Sequence, residues 1–138
     1  MHVQRLEQGA GLVWALNFED RTIGYWPTSL FDALAGGSIR VDVGGEVSHS
    51  SRAPEPMTAT EMGSGHFGRD GYGYAAYTRV IQTFDAGGAE LNPDTSFWLE
   101  QPNCYGLSRY VHTEPMWGNN IFFGGPGGAQ NNPTCVAV

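Results

Sequence analysis

The chain has 138 residues, which is enough for one domain with a buried core and too few for two of ordinary size. Its 20 glycines, 8 prolines and 15% charged residues favour short strands and many turns, and so predict an all-β fold. The net charge of −7 argues against nucleic acid or an anionic membrane surface as a partner. No apolar run approaches the roughly 18 to 20 residues that span a bilayer, and the first residues lack the apolar stretch of a signal peptide.

The first predicted elements form a hairpin. GLVWALNF (11–18) is apolar on both faces, as in a buried strand, and after the turn EDR the stretch TIGYW (22–26) returns antiparallel to it. Pro27, the following TSLFDAL and the pair Gly36–Gly37 then carry the start and stop signals of a helix. This helix is predicted to have two turns at most.

The next segment, SIRVDVGGEVSHS (38–50), predicts an amphipathic strand with valines on one face and Glu46 on the other. Gly44 and Gly45 interrupt it, and glycines inside a strand often mark the close approach of a ligand or another backbone. Glu46 is therefore the residue that we single out as a carboxylate able to meet a peptide. The alternative is that Glu46 is one more solvated charge opposite a core face.

In MGSGHFGRDGYGYAAYTRV (62–80), three glycines have the G-x-G-x-x-G spacing of a dinucleotide-binding loop: Gly63, Gly65 and Gly68. That fingerprint needs a strand before it and a helix after it. The preceding stretch is polar and contains prolines, and Gly71 and Gly73 would each cost a following helix roughly 1 kcal/mol. We predict instead an extended chain over 62–68 and 74–84 that binds no cofactor.

Ser64 and His66 lie close together in this stretch, but no G-x-S-x-G elbow is present, so we predict a structural role for His66. The other histidines, His2, His49 and His112, are scattered, and we predict no metal site.

The C-terminal part is predicted to contain a turn region at 85–96 and a last strand over Asn120–Phe123. Cys104 and Cys135 lack zinc-type spacing, which favours a disulfide over a metal site, with two free thiols as the alternative. The aromatic residues either line a sugar-binding face or fill a core. They include Trp14, Tyr25, Trp26, Trp98 and Trp117.

Five sequence blocks together resemble the C-terminal half of the neprosin family, plant secreted glutamic peptidases that cut after proline at acid pH. In chain order these blocks are IGYWPTSLF (23–31), VGGEV (43–47), EMGSGHF (61–67), QPNCYGL (101–107) and FFGGPGG (122–128). The resemblance implies an antiparallel, jelly-roll-like β-sandwich, with residues 1–138 forming a partial peptidase domain of about half the family's sandwich. It also implies that Glu46 is one of two catalytic glutamates, that Cys104 pairs with Cys135, that the protein is secreted, and that the substrate is a proline-containing peptide or protein.

The sequence departs from the family pattern in one important respect. The family's other glutamate lies in an N-terminal block ending in Ala-Gly-Trp, which does not occur here, and neither Glu7 nor Glu19 has its surroundings. Glu61 stands where the family usually has glutamine. With one glutamate of the pair, the chain alone is expected to be inactive or weakly active. The alternatives are a catalytically silent β-sandwich module that binds cell-wall polysaccharide or protein, and a truncated pseudoenzyme.

Overall fold

The computed structural model describes residues 1–9, 11–48, 59–91, 96–111, 116–128 and 132–135. It divides into two compact units, Met1–Asp42 and Val43–Val138. The described residues contain antiparallel sheets and two 3₁₀ turns, and they contain no α-helix. The predicted all-β, antiparallel class is confirmed, and it is consistent with a β-sandwich-like fold. No helix in these residues is long and apolar enough to cross a membrane.

The first unit is a three-stranded antiparallel meander of β1 (His2–Gln8), β2 (Gly11–Phe18) and β3 (Arg21–Pro27). The predicted hairpin at 11–26 is confirmed. In the central strand, Ala15 is only 1% exposed, because Gln4 and Tyr25 are its register partners on either side. The opposite face of β2 is only partly covered, since Leu12 and Phe18 are exposed, so the predicted burial of both faces is wrong.

The helix predicted after Pro27 is a single 3₁₀ turn, Thr28–Leu30. Side chains of the sheet bind carbonyl groups of the segment that follows this turn. Trp14 Nε1 donates to the carbonyl oxygen of Leu34 at 3.1 Å, and Arg5 Nη1 donates to that of Ala35 at 2.6 Å. A short segment gains few internal hydrogen bonds for the cost of nucleating a helix, so these tertiary bonds decide its conformation.

The strand predicted over 38–50 is wrong for residues 38–48, which contain no strand; residues 49 and 50 lie outside the described residues. Three of the apolar side chains that suggested a buried face, those of Ile39, Val41 and Val43, are exposed, and Ile39 has a relative exposure of 107%, whereas Val47 is partly buried. An ion pair of this stretch is local, between Arg40 Nε and Asp42 Oδ1 at 2.8 Å. Alternation alone does not make a strand when no neighbouring strand supplies a hydrogen-bonded ladder.

The second unit contains a sheet in the order β4 (Ala76–Thr78), β8 (Asn119–Gly124), β7 (Gly106–Val111), and a small hairpin of β5 (Thr83–Phe84) and β6 (Glu90–Leu91). The last predicted strand is confirmed as β8. Within 74–84 only β4 and β5 are strands, and β6 lies in the predicted turn region. Residues 62–68 are mostly turns, because Gly63 and Gly65 have φ values of 64° and 79°, so the extended prediction is wrong there.

A covalent bridge lies at the centre of the second unit's core. Cys104 and Cys135 form a disulfide with a Cα–Cα distance of 4.7 Å, which confirms the predicted pairing. Both cysteines and Tyr105 are buried, and the partly buried side chains of Val47 and Met62 pack against them. We call these three buried residues, Cys104, Tyr105 and Cys135, the disulfide core.

Candidate functional site

Within the second unit, the segment 45–47 is packed against other parts of the chain on both sides of Glu46. A Cβ added to Gly45 would lie 2.7 Å from Met62 Sδ and 2.8 Å from Phe123 Cδ2, so only glycine fits there without movement. Val47 packs against the disulfide core. Although the predicted strand is absent, the backbone around Glu46 is therefore positioned by close packing.

The Glu46 side chain itself is exposed, and no hydrogen bond or ion pair joins it to another described residue. The backbone beside it is open at Gly44, where an added Cβ would meet nothing within 4 Å. Of the two predicted bare glycines, Gly44 is therefore open and Gly45 is packed. The result is a solvated carboxylate next to accessible backbone, on a segment that Val47 anchors to the disulfide core.

The glycine triplet has a packing role. Gly63 lies against Ala76, since an added Cβ would come within 2.6 Å of the Ala76 Cβ. Gly68 begins the second 3₁₀ turn, Gly68–Asp70, and lies against the Phe122 carbonyl oxygen and the Ser108 nitrogen. No helix follows this turn in the described residues. The spacing thus serves close approach between the loop and the sheet, and the loop lacks the helix that a dinucleotide site requires.

Glu61 supplies a second exposed carboxylate at the start of the same loop. Its carboxylate lies over Gly65, whose added Cβ would be 3.0 Å from Glu61 Cδ and 3.2 Å from each oxygen. Glu61 precedes Met62, and Glu46 follows the glycine that packs on Met62. Glu46 and Glu61 therefore belong to segments that contact each other through Gly45 and Met62. No hydrogen bond joins the carboxyl groups of these two described residues.

Ser64, His66 and Asp70 form a local network within this loop. Ser64 Oγ donates to the carbonyl oxygen of Tyr74 at 2.5 Å, and it accepts from the His66 backbone nitrogen at 3.5 Å. His66 Nδ1 lies 3.4 Å from Asp70 Oδ2. Because the serine proton is directed to a backbone carbonyl, this is the geometry of a loop-stabilising network, in line with the structural role predicted for His66.

A cleft of 270 Å³ lies beside β7. The cleft is lined by the first three residues of β7. It is also lined by residues in and just before the second 3₁₀ turn, and by residues of the segment that precedes β7. The lining residues are Phe67, Arg69, Leu99, Pro102, Tyr105, Gly106, Leu107 and Ser108. Sequence reasoning missed this cleft, because its residues come from separate segments whose meeting no local pattern indicates.

The predicted aromatic residues divide between different packing arrangements. Trp14 and Trp26 are register partners on β2 and β3. In the second unit, Trp117 packs edge-on to Tyr72 at 5.2 Å between ring centroids, and Tyr77 lies 5.6 Å from each of them. Buried Phe122 lies under this group, so these aromatics both fill a core and reach the surface.

No group of three or more His, Cys, Asp or Glu side chains with metal-binding geometry occurs among the residues that the structure describes. His49 and His112 lie outside those residues.

Comparison with protein families gives a match to the family described as Neprosin over residues 3–126. This match includes most of β1, the first four of the five blocks that carry the resemblance and the beginning of the fifth, and it covers residues of both compact units. The chain therefore belongs to the neprosin family.

Proposed function

We propose that the chain is a glutamic-type peptidase domain that hydrolyses peptide bonds after proline at acid pH, with Glu46 as one carboxylate of its catalytic pair. Family membership supports the class of chemistry. The observation that carries the assignment to Glu46 is its setting, an exposed carboxylate between Gly45, which packs on Met62 and Phe123, and Val47, which packs on the disulfide core. The second carboxylate of the pair is not assigned to a residue of this sequence.

The proposed mechanism follows from the behaviour of two neighbouring carboxyl groups. They do not both ionise readily, so one keeps its proton while the other is charged. The charged carboxylate takes a proton from a water molecule, whose oxygen attacks the carbonyl carbon of the scissile bond. The protonated carboxyl donates its proton to the carbonyl oxygen. When the tetrahedral intermediate collapses, the C–N bond breaks and the leaving nitrogen takes a proton from the pair.

The proposed substrate is a proline-containing peptide or protein, and the proposed location is extracellular. The buried Cys104–Cys135 disulfide supports an oxidising compartment, because cytosolic thiols are kept reduced. The reaction as proposed needs no cofactor, since both proton transfers and the activation of water are carried out by carboxyl groups.

The test is a cleavage assay at acid pH with proline-containing peptides, in which the products are identified by mass. Cleavage after proline that disappears in Glu46→Gln and persists in Glu100→Gln supports the proposal. Glu100 is a suitable control because it is also exposed. Its carboxylate accepts a hydrogen bond from Trp98 Nε1 at 3.2 Å, and the amide oxygen of glutamine can accept the same bond. Cleavage that persists in Glu46→Gln would reject the role of Glu46.

A second candidate is a catalytically silent module that binds polysaccharide through aromatic side chains. The observation that favours it is Tyr72, which is 67% exposed and packs edge-on to Trp117 at the surface. Sugars stack on exposed aromatic rings that are held in place by their neighbours. Retention on insoluble cell-wall polysaccharide that is lost in Tyr72→Ala, from a chain that cleaves no peptide, would favour this module over the peptidase.

A further inference from the structure

We propose that the cleft beside β7 binds a peptide in the extended conformation, which adds to the edge of β7 and places an apolar side chain between Phe67 and Leu99. This inference rests on the proposed peptidase function and names the surface that would hold its substrate. Its evidence comes from the topology of the sheet, the position of the cleft, the chemistry of its walls and its link to Glu46.

The strand β7 lies at one end of its sheet. It pairs with β8 over Gly106–Val111, and no strand among the described residues pairs with its other side. Edge strands present backbone N–H and C=O groups in the spacing that a second extended chain can match. Addition of a peptide strand to such an edge is a common mode of peptide recognition.

The cleft follows this edge. Gly106, Leu107 and Ser108 all line it, although successive side chains of a strand point to opposite faces of the sheet. Lining by consecutive residues is the arrangement expected of a cleft along the backbone edge of the strand, and the other edge of β7 is occupied by β8. The Phe67 side chain forms one wall, with its ring against Gly106, and Leu99 and Pro102 belong to the segment before β7.

The cleft has the size and character for a side chain. Its 270 Å³ is just below the range of about 300 to 1,000 Å³ that is typical of small-molecule pockets. Phe67, Leu99 and Leu107 give it apolar side chains beside the polar groups of Arg69 and Ser108, which suits an apolar residue of a peptide that is followed by a polar one.

Arg69 gives the cleft its charge preference. Its guanidinium carbon lies 4.4 Å from the centroid of the Phe67 ring, and Arg69 is the charged residue among the described residues that line the cleft. A cation on the wall favours a carboxylate over an ammonium group on the occupant. We therefore expect a peptide with an apolar residue next to an acidic one to bind better than the same peptide with lysine.

The cleft and Glu46 are linked through one residue. Tyr105 lines the cleft and also belongs to the disulfide core, on which Val47 packs. A peptide seated along β7 is thus held by the same packed unit that positions the Glu46 segment.

The experiment measures binding by fluorescence anisotropy, with the Glu46→Gln chain and a labelled octapeptide that contains Pro-Leu-Glu at its centre. The first comparison is with the same peptide N-methylated at alternate amides, which removes its ability to pair as a strand. We expect at least about tenfold weaker binding of the methylated peptide, because strand pairing supplies several backbone hydrogen bonds. Replacing the glutamate by lysine should also weaken binding, and Arg69→Gln should reduce that difference.

A matched pair of leucine variants tests the cleft. Leu99 is 41% exposed in the cleft wall, and Leu91 is 46% exposed in β6, away from it. Leu99→Ser should weaken binding about fivefold through lost apolar contact, and Leu91→Ser should leave it unchanged. Equal effects of the two variants, or equal binding of the methylated peptide, would overturn the inference.

The proposed peptidase function and the proposed binding of peptide at the edge of β7 can be rejected independently of each other. If peptide binds as expected while the wild-type chain cleaves nothing, the peptidase function fails and the binding edge stands. If the chain cleaves peptides and Leu99→Ser changes neither binding nor KM, the edge is not the binding surface. A dimer, seen by sedimentation, that Leu99→Ser dissociates and that excludes the peptide would instead identify the edge as an interface between copies and overturn the inference.

Discussion

Gly45 packs directly on Met62: a Cβ added to the glycine would lie 2.7 Å from the sulfur and 2.8 Å from the Met62 Cγ. The Phe123 ring closes the same space at 2.8 Å. This contact explains why a glycine precedes Glu46, since a side chain at this position would force the Met62 side chain or the Phe123 ring to move.

We expect Gly45→Ala to lower the free energy of unfolding by about 1 to 3 kcal/mol, because it overpacks the contact with Met62 and Phe123. Urea denaturation followed by circular dichroism measures this change. Gly44→Ala is the matched control, since nothing lies within 4 Å of its added Cβ. Equal destabilisation by the two substitutions would contradict the packing argument.

We expect Glu46→Gln to leave the free energy of unfolding within about 0.5 kcal/mol of the wild type, because its side chain is exposed and has no described partner. Cleavage of proline peptides should fall by about a hundredfold or more, as expected for loss of a general acid or base. Thermal melting and the cleavage assay on one preparation check both. A large drop in melting temperature would mean that lost activity reports unfolding.

We expect removal of the Cys104–Cys135 disulfide to destabilise the second unit strongly. The two residues are separated by 31 positions, and closing such a loop is worth about 3 to 4 kcal/mol in the chain-entropy model. The double variant Cys104→Ala with Cys135→Ala should therefore melt at a much lower temperature than the oxidised chain. A reduced wild-type chain serves as the control for the substitutions themselves, and an unchanged melting temperature in both would refute the expectation.

We expect stability to fall as the pH rises above about 10, in part through Tyr105. Burial raises the pKa of the Tyr105 hydroxyl above its ordinary value of 10.0. Between the two values the unfolded chain has released this proton while the folded chain retains it, so alkali favours unfolding. The contribution is complete below pH 10 and is lost as the pH passes through the raised value. Urea denaturation across this range measures the slope.

Tyr105→Phe tests whether Tyr105 contributes to the loss of stability above pH 10. The variant loses the hydrogen bond from the hydroxyl to the Thr60 carbonyl oxygen at 2.9 Å, so it should be less stable at neutral pH by about 0.5 to 1.5 kcal/mol. Its stability should also decline less steeply above pH 10. Tyr72→Phe, which removes the hydroxyl of an exposed tyrosine, is the matched control for the substitution itself. The chain contains seven arginines and no lysine, so lysine titration does not obscure this range.

Strands whose own sequence is rich in apolar residues and bounded by turn residues were predictable. β2, β3 and β8 have dense apolar residues bounded by turns, and the structure confirms them. The strands β1 and β7 alternate too little between apolar and polar residues to be recognised. β1 contains Gln4, Arg5 and Glu7, and β7 contains Arg109. They become strands because neighbours supply a hydrogen-bonded ladder, which is information that the segment itself does not contain.

The candidate site was predictable to a similar extent. Glu46 and the cysteine pair could be named from motif and resemblance, and the disulfide is confirmed. The packing of Gly45 and the cleft beside β7 could not, since both depend on contacts between distant segments such as Gly45 with Phe123 and Phe67 with Gly106. The alternation at 38–48 was misleading because Ile39 and Val41 find no core to enter.

The packing of Val47 on the disulfide core has a consequence for the order of folding. Glu46 lies between residues whose contacts, Phe123 and Cys135 among them, come much later in the chain. Contacts of such high sequence separation form slowly, after the loops that connect them have closed. We therefore expect the segment around Glu46 to reach its packed position only after β8 and the disulfide core have formed.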